Sequence, residues 1–184
     1  GLLWFTSYAS NRVGKITTGG TITMYSSADF NGPIGICSGP DGNLWVTSFT
    51  NDKICKVTTA GVVTAYTSAG NIDGPQGICS GPDGNLWTAN SASSKVCKTT
   101  TAGVTTAYTD ANFSGPIGIC SGPDGLLWVT SYTNNKICKV TTSGTVTAYT
   151  DVSLDGPLGI CSGPDGNLWA TGYLGPAIYK ITTS

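Results

Sequence analysis

Five tryptophans recur at nearly equal spacing and divide the whole chain into repeat units. They occupy positions 4, 45, 87, 128 and 169, so the spacings are 41, 42, 41 and 41 residues, and each follows a leucine. The unit is clearest from Gly32 to Thr67, which reads GPIGICSGPDGNLWVTSFTNDKICKVTTAGVVTAYT. A period of this length is typical of solenoids and propellers, in which each unit packs mainly against its neighbours.

Each unit contains four short segments rich in Thr, Val, Ile, Tyr and Trp, the residues that favour strands. In the unit above these segments are residues 35–39, 44–48, 53–59 and 62–67, here named strands A, B, C and D. Gly-Pro-Asp-Gly joins A to B, and a turn containing glycine joins C to D. Four antiparallel strands in about 41 residues predict one blade of a β-propeller. The sequence therefore predicts an all-β fold in which residues 1–184 form a single β-propeller domain of about five blades.

The two ends of the sequence fall inside repeat units, as in a piece of a longer array or a permuted ring. Strands B and C occur five times but A and D only four, which predicts 18 strands and incomplete first and last blades. The blades could form an imperfectly closed ring of five, or a ring of four in which the strand near Ile160 completes the first blade. Alternatively, the free edges pair between chains, since unpaired edges invite strand addition. We favour five blades and expect the chain itself to be a partner, through the end blades.

The pattern GPxGIxxGPDGNLWxT followed by KIxKVTTxGxVTxY resembles the repeat of the virginiamycin B lyase or streptogramin lyase family, and is similar to NHL-type repeats. The resemblance covers essentially the whole chain and implies the propeller fold. It also implies a C–O lyase activity that uses a magnesium ion with catalytic His and Glu, on a seven-bladed ring. This sequence has no His and no Glu, so no position can receive those roles.

Composition excludes several further kinds of function. With no His, neither Ser-His-Asp nor Cys-His chemistry nor a His-ligated zinc site is possible. A net charge of −1 and only 10% charged residues give no field for binding nucleic acid or an anionic membrane. No apolar run of 18 residues spans a bilayer. We expect no catalytic residues, no metal and no cofactor.

Four residue types recur from unit to unit, and each has a structural interpretation. We expect the Trp of strand B to pack between blades and the Asp of GPDG to stabilise the turn rather than bind calcium. Strands A and C lie about 9–10 Å apart within a blade, too far for a disulfide. The seven Cys are therefore interpreted as small buried hydrophobes, with bridges between blades left open. The lysines of strand C are interpreted as an outward ring that aids solubility, with anion binding as the alternative; they are Lys15, Lys56, Lys98, Lys139 and Lys180.

The loops after strands B and D offer the candidate site, because both sets emerge on one face of a propeller. An aromatic residue follows strand B in four units, and Asn residues lie close by. Aromatic side chains beside Asn suit sugars or other small polar ligands, although capping of the strand ends is the simpler explanation. The predicted ligand-binding residues are Tyr8, Phe49, Tyr132, Tyr173, Asn51 and Asn134.

We interpret the chain as a non-catalytic propeller that acts as a binding or assembly module, with a small polar or glycan ligand on the loop face. The alternative is a streptogramin B lyase-like enzyme, which the absence of His and Glu disfavours. The sequence leaves the compartment undetermined. Its charge-poor surface, rich in Thr, Ser and Asn, favours an extracellular or particle-associated protein.

Overall fold

The computed structural model describes residues 2–175 and 177–183, and it contains the 18 strands that the repeat predicts. The strands are β1 (Leu2–Ser7), β2 (Arg12–Thr17), β3 (Ile22–Ser26), β4 (Pro33–Ser38), β5 (Leu44–Ser48), β6 (Lys53–Val57), β7 (Val63–Tyr66), β8 (Pro75–Ser80), β9 (Leu86–Asn90), β10 (Lys95–Thr99), β11 (Thr105–Thr109), β12 (Pro116–Ser121), β13 (Leu127–Ser131), β14 (Lys136–Val140), β15 (Val146–Thr150), β16 (Pro157–Ser162), β17 (Leu168–Gly172) and β18 (Ile178–Ile181).

The strands form five antiparallel sheets, which are blades 1 to 5 of a propeller. Blades 2, 3 and 4 each have four strands in the order A-B-C-D, namely β4–β7, β8–β11 and β12–β15. Blade 1 (β1–β3) lacks strand A, and blade 5 (β16–β18) lacks strand D among the described residues. Strand β16 pairs with β17 in blade 5, so it does not complete blade 1. The predicted fold class and the arrangement in five blades are confirmed.

The turn between strands A and B is built from the Gly-Pro-Asp-Gly sequence. In blade 2 the N–H of Gly39 donates to the carbonyl of Asn43 at 2.7 Å, and Asp41 Oδ1 accepts from the N–H of Asn43 at 3.2 Å. Gly42 has φ of 75°, a conformation that glycine adopts without steric cost. The same carboxylate accepts a hydrogen bond from Trp45 Nε1 at 3.0 Å, so the turn also fixes the indole ring. The predicted structural role of this Asp is extended by that contact.

The hydrophobic core lies between blades, as the packing of the tryptophans predicts. Between blades 2 and 3, Trp45 and Ile54 of one blade pack with Ile78 and Leu86 of the next, and Ile72 of the connecting loop joins them. The other three blade interfaces use equivalent residues. Trp45 and Trp87 are completely buried and Trp128 is 1% exposed. At about 25 cal/mol per Å² of buried apolar area, these repeated interfaces supply the main stabilisation of the fold.

The sequence predicted that the strand C lysines face outward into solvent. In the structure they also lie over aromatic rings. Lys56 Nζ lies 5.9 Å from the ring centroids of both Trp45 and Tyr66, which stack on each other at 5.5 Å. Each of the other four lysines also lies over a strand B tryptophan. Aromatic rings attract a cation at this distance, so the lysine adds to blade packing. The spacing of Trp, Lys and Tyr in the sequence already indicated this contact, because cross-strand register places all three side chains on one face of the sheet.

The strand A positions of neighbouring blades lie side by side around the inside of the arc, in the order β4, β8, β12 and β16. Serine side chains link them: Ser80 Oγ donates to the carbonyl of Ser38 at 2.5 Å, and Ser121 Oγ donates to that of Ser80 at 2.6 Å.

The outer faces of the end blades remain open, with Leu3 72% and Ile178 71% exposed. The part of the chain that the structure describes contains no helix that could cross a membrane.

All seven cysteines are free thiols. The three on strand C are buried, three of the four on strand A are half-buried, and Cys161 is exposed. Burial raises the pKa of the Cys37, Cys55 and Cys138 thiols to about 12. Such thiols are protonated at neutral pH and cannot act as nucleophiles.

Candidate functional site

The loops after strands B and D lie on one face of the propeller, here called the loop face. Strands A begin and strands B end at this face, so the residue after each GP pair and the residue after each strand B surround its centre. We call this central region the mouth. In blade 2 these two positions are Ile34 and Phe49, in blade 4 they are Ile117 and Tyr132, and in blade 5 they are Leu158 and Tyr173.

In blades 1 to 4, the loop after strand B is fastened to the next blade by one residue in the left-handed conformation. Asn11, Asp52 and Asn135 all have φ of 54°. Asn11 Oδ1 accepts from the N–H of Gly32 at 2.8 Å, and Asp52 Oδ1 accepts from that of Gly74 at 2.8 Å. Because Asn and Asp tolerate this conformation better than most residues, the sequence can place an acceptor here. These side chains hold the loop face together and are not free for a ligand through those atoms.

The two candidate asparagines lie under the loops, where they bind the connection that precedes their own blade. Asn51 Nδ2 donates to the carbonyl of Asp29 at 3.0 Å, and its Oδ1 accepts from Ser48 Oγ at 2.6 Å. Asn134 Nδ2 donates to the carbonyl of Asn112 at 2.9 Å, while its buried Oδ1 has no partner among the described residues.

Two equivalent surface grooves contain these asparagines. One groove of about 400 Å³ lies beside Asn51, Asp52 and Asp73. The other, of about 330 Å³, lies beside Asn134, Asn135 and Asp151. Both are formed by a B–C loop and the D–A loop that follows it, so the groove is a feature of the repeat. A volume of this size accommodates a small ligand of the size of a monosaccharide.

The candidate aromatic residues lie closer to the centre of the loop face, and two of them are largely exposed. Tyr8 is 54% and Tyr173 is 66% exposed, whereas Phe49 and Tyr132 are half-buried. The rings of Tyr132 and Tyr173 meet edge to face with their centroids 6.1 Å apart. Tyr8 packs over Gly32, where an added Cβ would approach its ring to 2.8 Å. The structure therefore brings Tyr132 and Tyr173 together and leaves apolar ring surface beside them.

Blade 3 departs from the others at the mouth, and sequence reasoning missed one of its two residues. Gln76 stands where Ile34, Ile117 and Leu158 stand elsewhere, and Ser91 stands in place of the aromatic residue. Gln76 Nε2 donates to Ser91 Oγ at 2.8 Å. The signal was present as the single polar residue among four GPxG motifs.

One carboxylate of the loop face, that of Asp29, is held in an ion pair. The hydrogen bond from Lys53 at 2.9 Å lowers the pKa of Asp29 below its usual value, which keeps this carboxylate ionised and paired. A general base needs a pKa near the working pH, and a depressed carboxyl does not meet that requirement. Within residues 2–175 and 177–183, no three acidic or Cys side chains come together as metal ligands.

The five blades, each built around a strand B tryptophan, define this protein as a β-propeller repeat protein. Its loop face is rich in aromatic and Asn residues. The sequence profile described as the virginiamycin B lyase family matches residues 1–150 and 67–184, which together cover the whole chain. The chain belongs to that family. Comparison with curated proteins finds no match.

Solved structures give the same result. Virginiamycin B lyase from Staphylococcus aureus is 29% identical, with a TM-score of 0.88 over 100% of this chain and 67% of its own. A catalytically inactive histidine-to-alanine variant of that enzyme with quinupristin is 29% identical with a TM-score of 0.88, over 99% of this chain and 66% of its own. A nidogen/laminin complex, 17% identical with a TM-score of 0.83 over 98% of this chain and 71% of its own, shares the fold alone. The chain thus spans about two thirds of the length of these lyases.

Proposed function

We propose that this chain is a non-catalytic binding module that holds a small polar or glycan ligand on its loop face. The observation that carries the proposal is the mouth of the loop face, where exposed Tyr8 and the edge-to-face pair of Tyr132 and Tyr173 offer apolar ring surface. The grooves beside Asn51 and Asn134 add polar surface on the same face, and none of the four candidate aromatic residues lines them. Sugar rings combine an apolar face with polar edges, so this combination matches them.

Cleavage of a streptogramin ring is the competing function, since the structurally similar relatives include lyases. Replacing one histidine makes the S. aureus enzyme catalytically inactive. These 184 residues contain no histidine, and the thiols that could replace a base are held protonated by burial. Quinupristin incubated with the chain is therefore expected to keep its retention time in liquid chromatography. Steady conversion to a linear isomer, which has the same mass but a different retention time and fragmentation pattern, would contradict the proposal.

Binding is tested by titrating the ¹⁵N-labelled chain with methyl β-glucoside. We expect shifts confined to the loop face, with weak affinity, because such a small ligand offers few contacts. Tyr132→Ala and Tyr173→Ala should each weaken binding, since stacked aromatic contacts contribute about 0.5–1.5 kcal/mol. Leu126→Asn is the matched control, because it places the residue of blades 2, 3 and 5 on the opposite face. If the chemical-shift changes and the affinity are the same in the tyrosine variants as in the unmodified chain, the mouth is not the binding site.

A second role, self-association through the end blades, is favoured by a separate observation. β1 pairs only with β2, and β18 pairs only with β17, among the described strands. Leu3 and Ile178 expose large apolar side chains on these blades. Free edges beside apolar surface favour pairing between chains. Native mass spectrometry should show an oligomer that Leu3→Lys and Ile178→Lys disperse, whereas a monomer at all concentrations would exclude this role.

A further inference from the structure

Blade 3 breaks the pattern of the mouth at both of its positions simultaneously. The other complete sets pair an aliphatic residue with an aromatic one, whereas blade 3 pairs Gln76 with Ser91. Both replacements turn an apolar side chain into one that can donate and accept hydrogen bonds. The mouth therefore has one polar sector in a surround that is otherwise apolar.

Local hydrogen bonds fix the orientation of this polar pair. Gln76 Nε2 donates to Ser91 Oγ at 2.8 Å, and Ser91 Oγ donates to the carbonyl of Gly74 at 3.1 Å. One amide hydrogen of Gln76 is thus used. Its second amide hydrogen and its Oε1 make no hydrogen bond among the described residues, and the side chain is only half-buried. A fixed planar amide with one free donor and one free acceptor is complementary to another amide.

Two buried residues of the same blade add a second observation. Asn90 is completely buried, yet its Oδ1 has no hydrogen-bond partner, and neither has the buried Oγ of Ser93. At the equivalent positions of blade 2, Ser48 and Asn51 bond each other at 2.6 Å. Buried polar atoms without partners are costly, and a water or ligand bound beside them is one way in which proteins satisfy them. Both of these atoms belong to blade 3, and the third such atom among the described residues, Asn134 Oδ1, belongs to the neighbouring blade 4.

We propose that Gln76 and Ser91 form a specificity site that recognises an amide group carried by a ring-shaped ligand, such as the acetamido group of an N-acetylated sugar. The apolar surface of Tyr132 and Tyr173 holds the ring, and the Gln76 amide pairs with the ligand amide. This inference rests on the proposed binding function and adds the class of ligand to it.

The test compares methyl β-N-acetylglucosaminide with methyl β-glucoside, two probes that differ by an acetamido group in place of one hydroxyl. The unmodified chain should bind the acetamido probe about fivefold more tightly, the value of about one net hydrogen bond. The double variant Gln76→Ile with Ser91→Tyr carries the residues of blade 4 and should lose this preference. It should still bind the glucoside at least as tightly, which also shows that it is folded.

Each outcome separates the inference from the function on which it rests. If the unmodified chain binds neither probe, the proposed binding function fails and the inference fails with it. If it binds both probes equally, the function stands and the specificity site is refuted. If the double variant keeps the preference, Gln76 and Ser91 are not its source. Asn43→Leu, which places the blade 4 residue on the opposite face, serves as the control and should leave both affinities unchanged.

Discussion

Asp52 fastens blade 2 to blade 3, and replacing it tests how the loop face is held together. Its Oδ1 accepts from the N–H of Gly74 at 2.8 Å, and its backbone has φ of 54°. Gly74 is buried, so its N–H cannot turn to solvent when the acceptor is lost. An unsatisfied buried donor costs about 1–3 kcal/mol. Alanine in a left-handed conformation costs about 1–2 kcal/mol more.

Three variants separate these two contributions to the free energy of unfolding. Asp52→Ala loses both and should destabilise the fold by about 2–5 kcal/mol. Asp52→Gly loses only the hydrogen bond, because glycine adopts positive φ freely, so it should be about 1 kcal/mol more stable than the alanine variant. Asp52→Asn keeps both features, as Asn11 and Asn135 do in their blades, and should be nearly neutral.

Differential scanning calorimetry provides the measurement. For a domain of this size, 1 kcal/mol corresponds to a change in Tm of about 2–4 °C. The expected order of Tm is the unmodified chain and Asp52→Asn together, then Asp52→Gly, then Asp52→Ala. If the alanine variant melts with the unmodified chain, the hydrogen bond does not fasten the blades. If glycine is no better than alanine, positive φ carries no cost here.

Three further predictions concern packing, pH and thiol chemistry. Gly103→Ala should destabilise the fold by about 2–5 kcal/mol, because the residue has φ of 88° and a Cβ there would overlap the ring of Tyr66; a neutral result in thermal melts would contradict this. Burial raises the pKa of Asp83, but the hydrogen bond from Trp87 Nε1 and further hydrogen bonds outweigh it and leave the pKa below its usual value. The folded pKa is the lower one, so this stabilisation is present above about pH 4 and is lost as pH falls further; acid titration of Asp83→Asn should show a shallower loss of stability, and an unchanged slope would refute the assignment. Under native conditions at pH 8, a thiol reagent should modify Cys161 first, because it is the exposed cysteine, and simultaneous modification of all seven would show that the others are not buried.

The sequence was sufficient to predict the strands because turn residues and alternating side chains repeat with a fixed period. The predicted strand at 44–48 is the observed β5, and the predicted strand at 53–59 ends two residues early at Val57. It ends there because Thr58 already belongs to the turn, where its N–H donates to the carbonyl of Val62. The repeat period and the turn residues are local properties of the chain. They can therefore be read from one sequence without knowing which blades are in contact.

The loop face was predicted less completely because its geometry depends on contacts between blades. Asn51 and Asn134 were chosen for their chemistry, and the structure shows part of that chemistry directed at loop carbonyls. The left-handed Asn11 and Asp52 fasten the next blade, a role that becomes visible only when residues 21 or 22 positions apart are brought together. The Lys56 contact with two rings was missed because cross-strand register was not used.

The proposed specificity site lies on residues other than those that pack the fold, and that separation can be tested. The residues that pack between blades are nearly the same in every unit, whereas the two mouth positions differ between blade 3 and its neighbours without disturbing the sheet order. Gln76 and Ser91 form a hydrogen bond with each other, which reduces the free-energy cost of placing two polar side chains at the mouth. Changes at these two positions should therefore alter binding while the Tm stays nearly constant. Changes at Asp52 should lower the Tm before they alter which ligand is preferred, because they loosen the interface and leave the mouth residues in place.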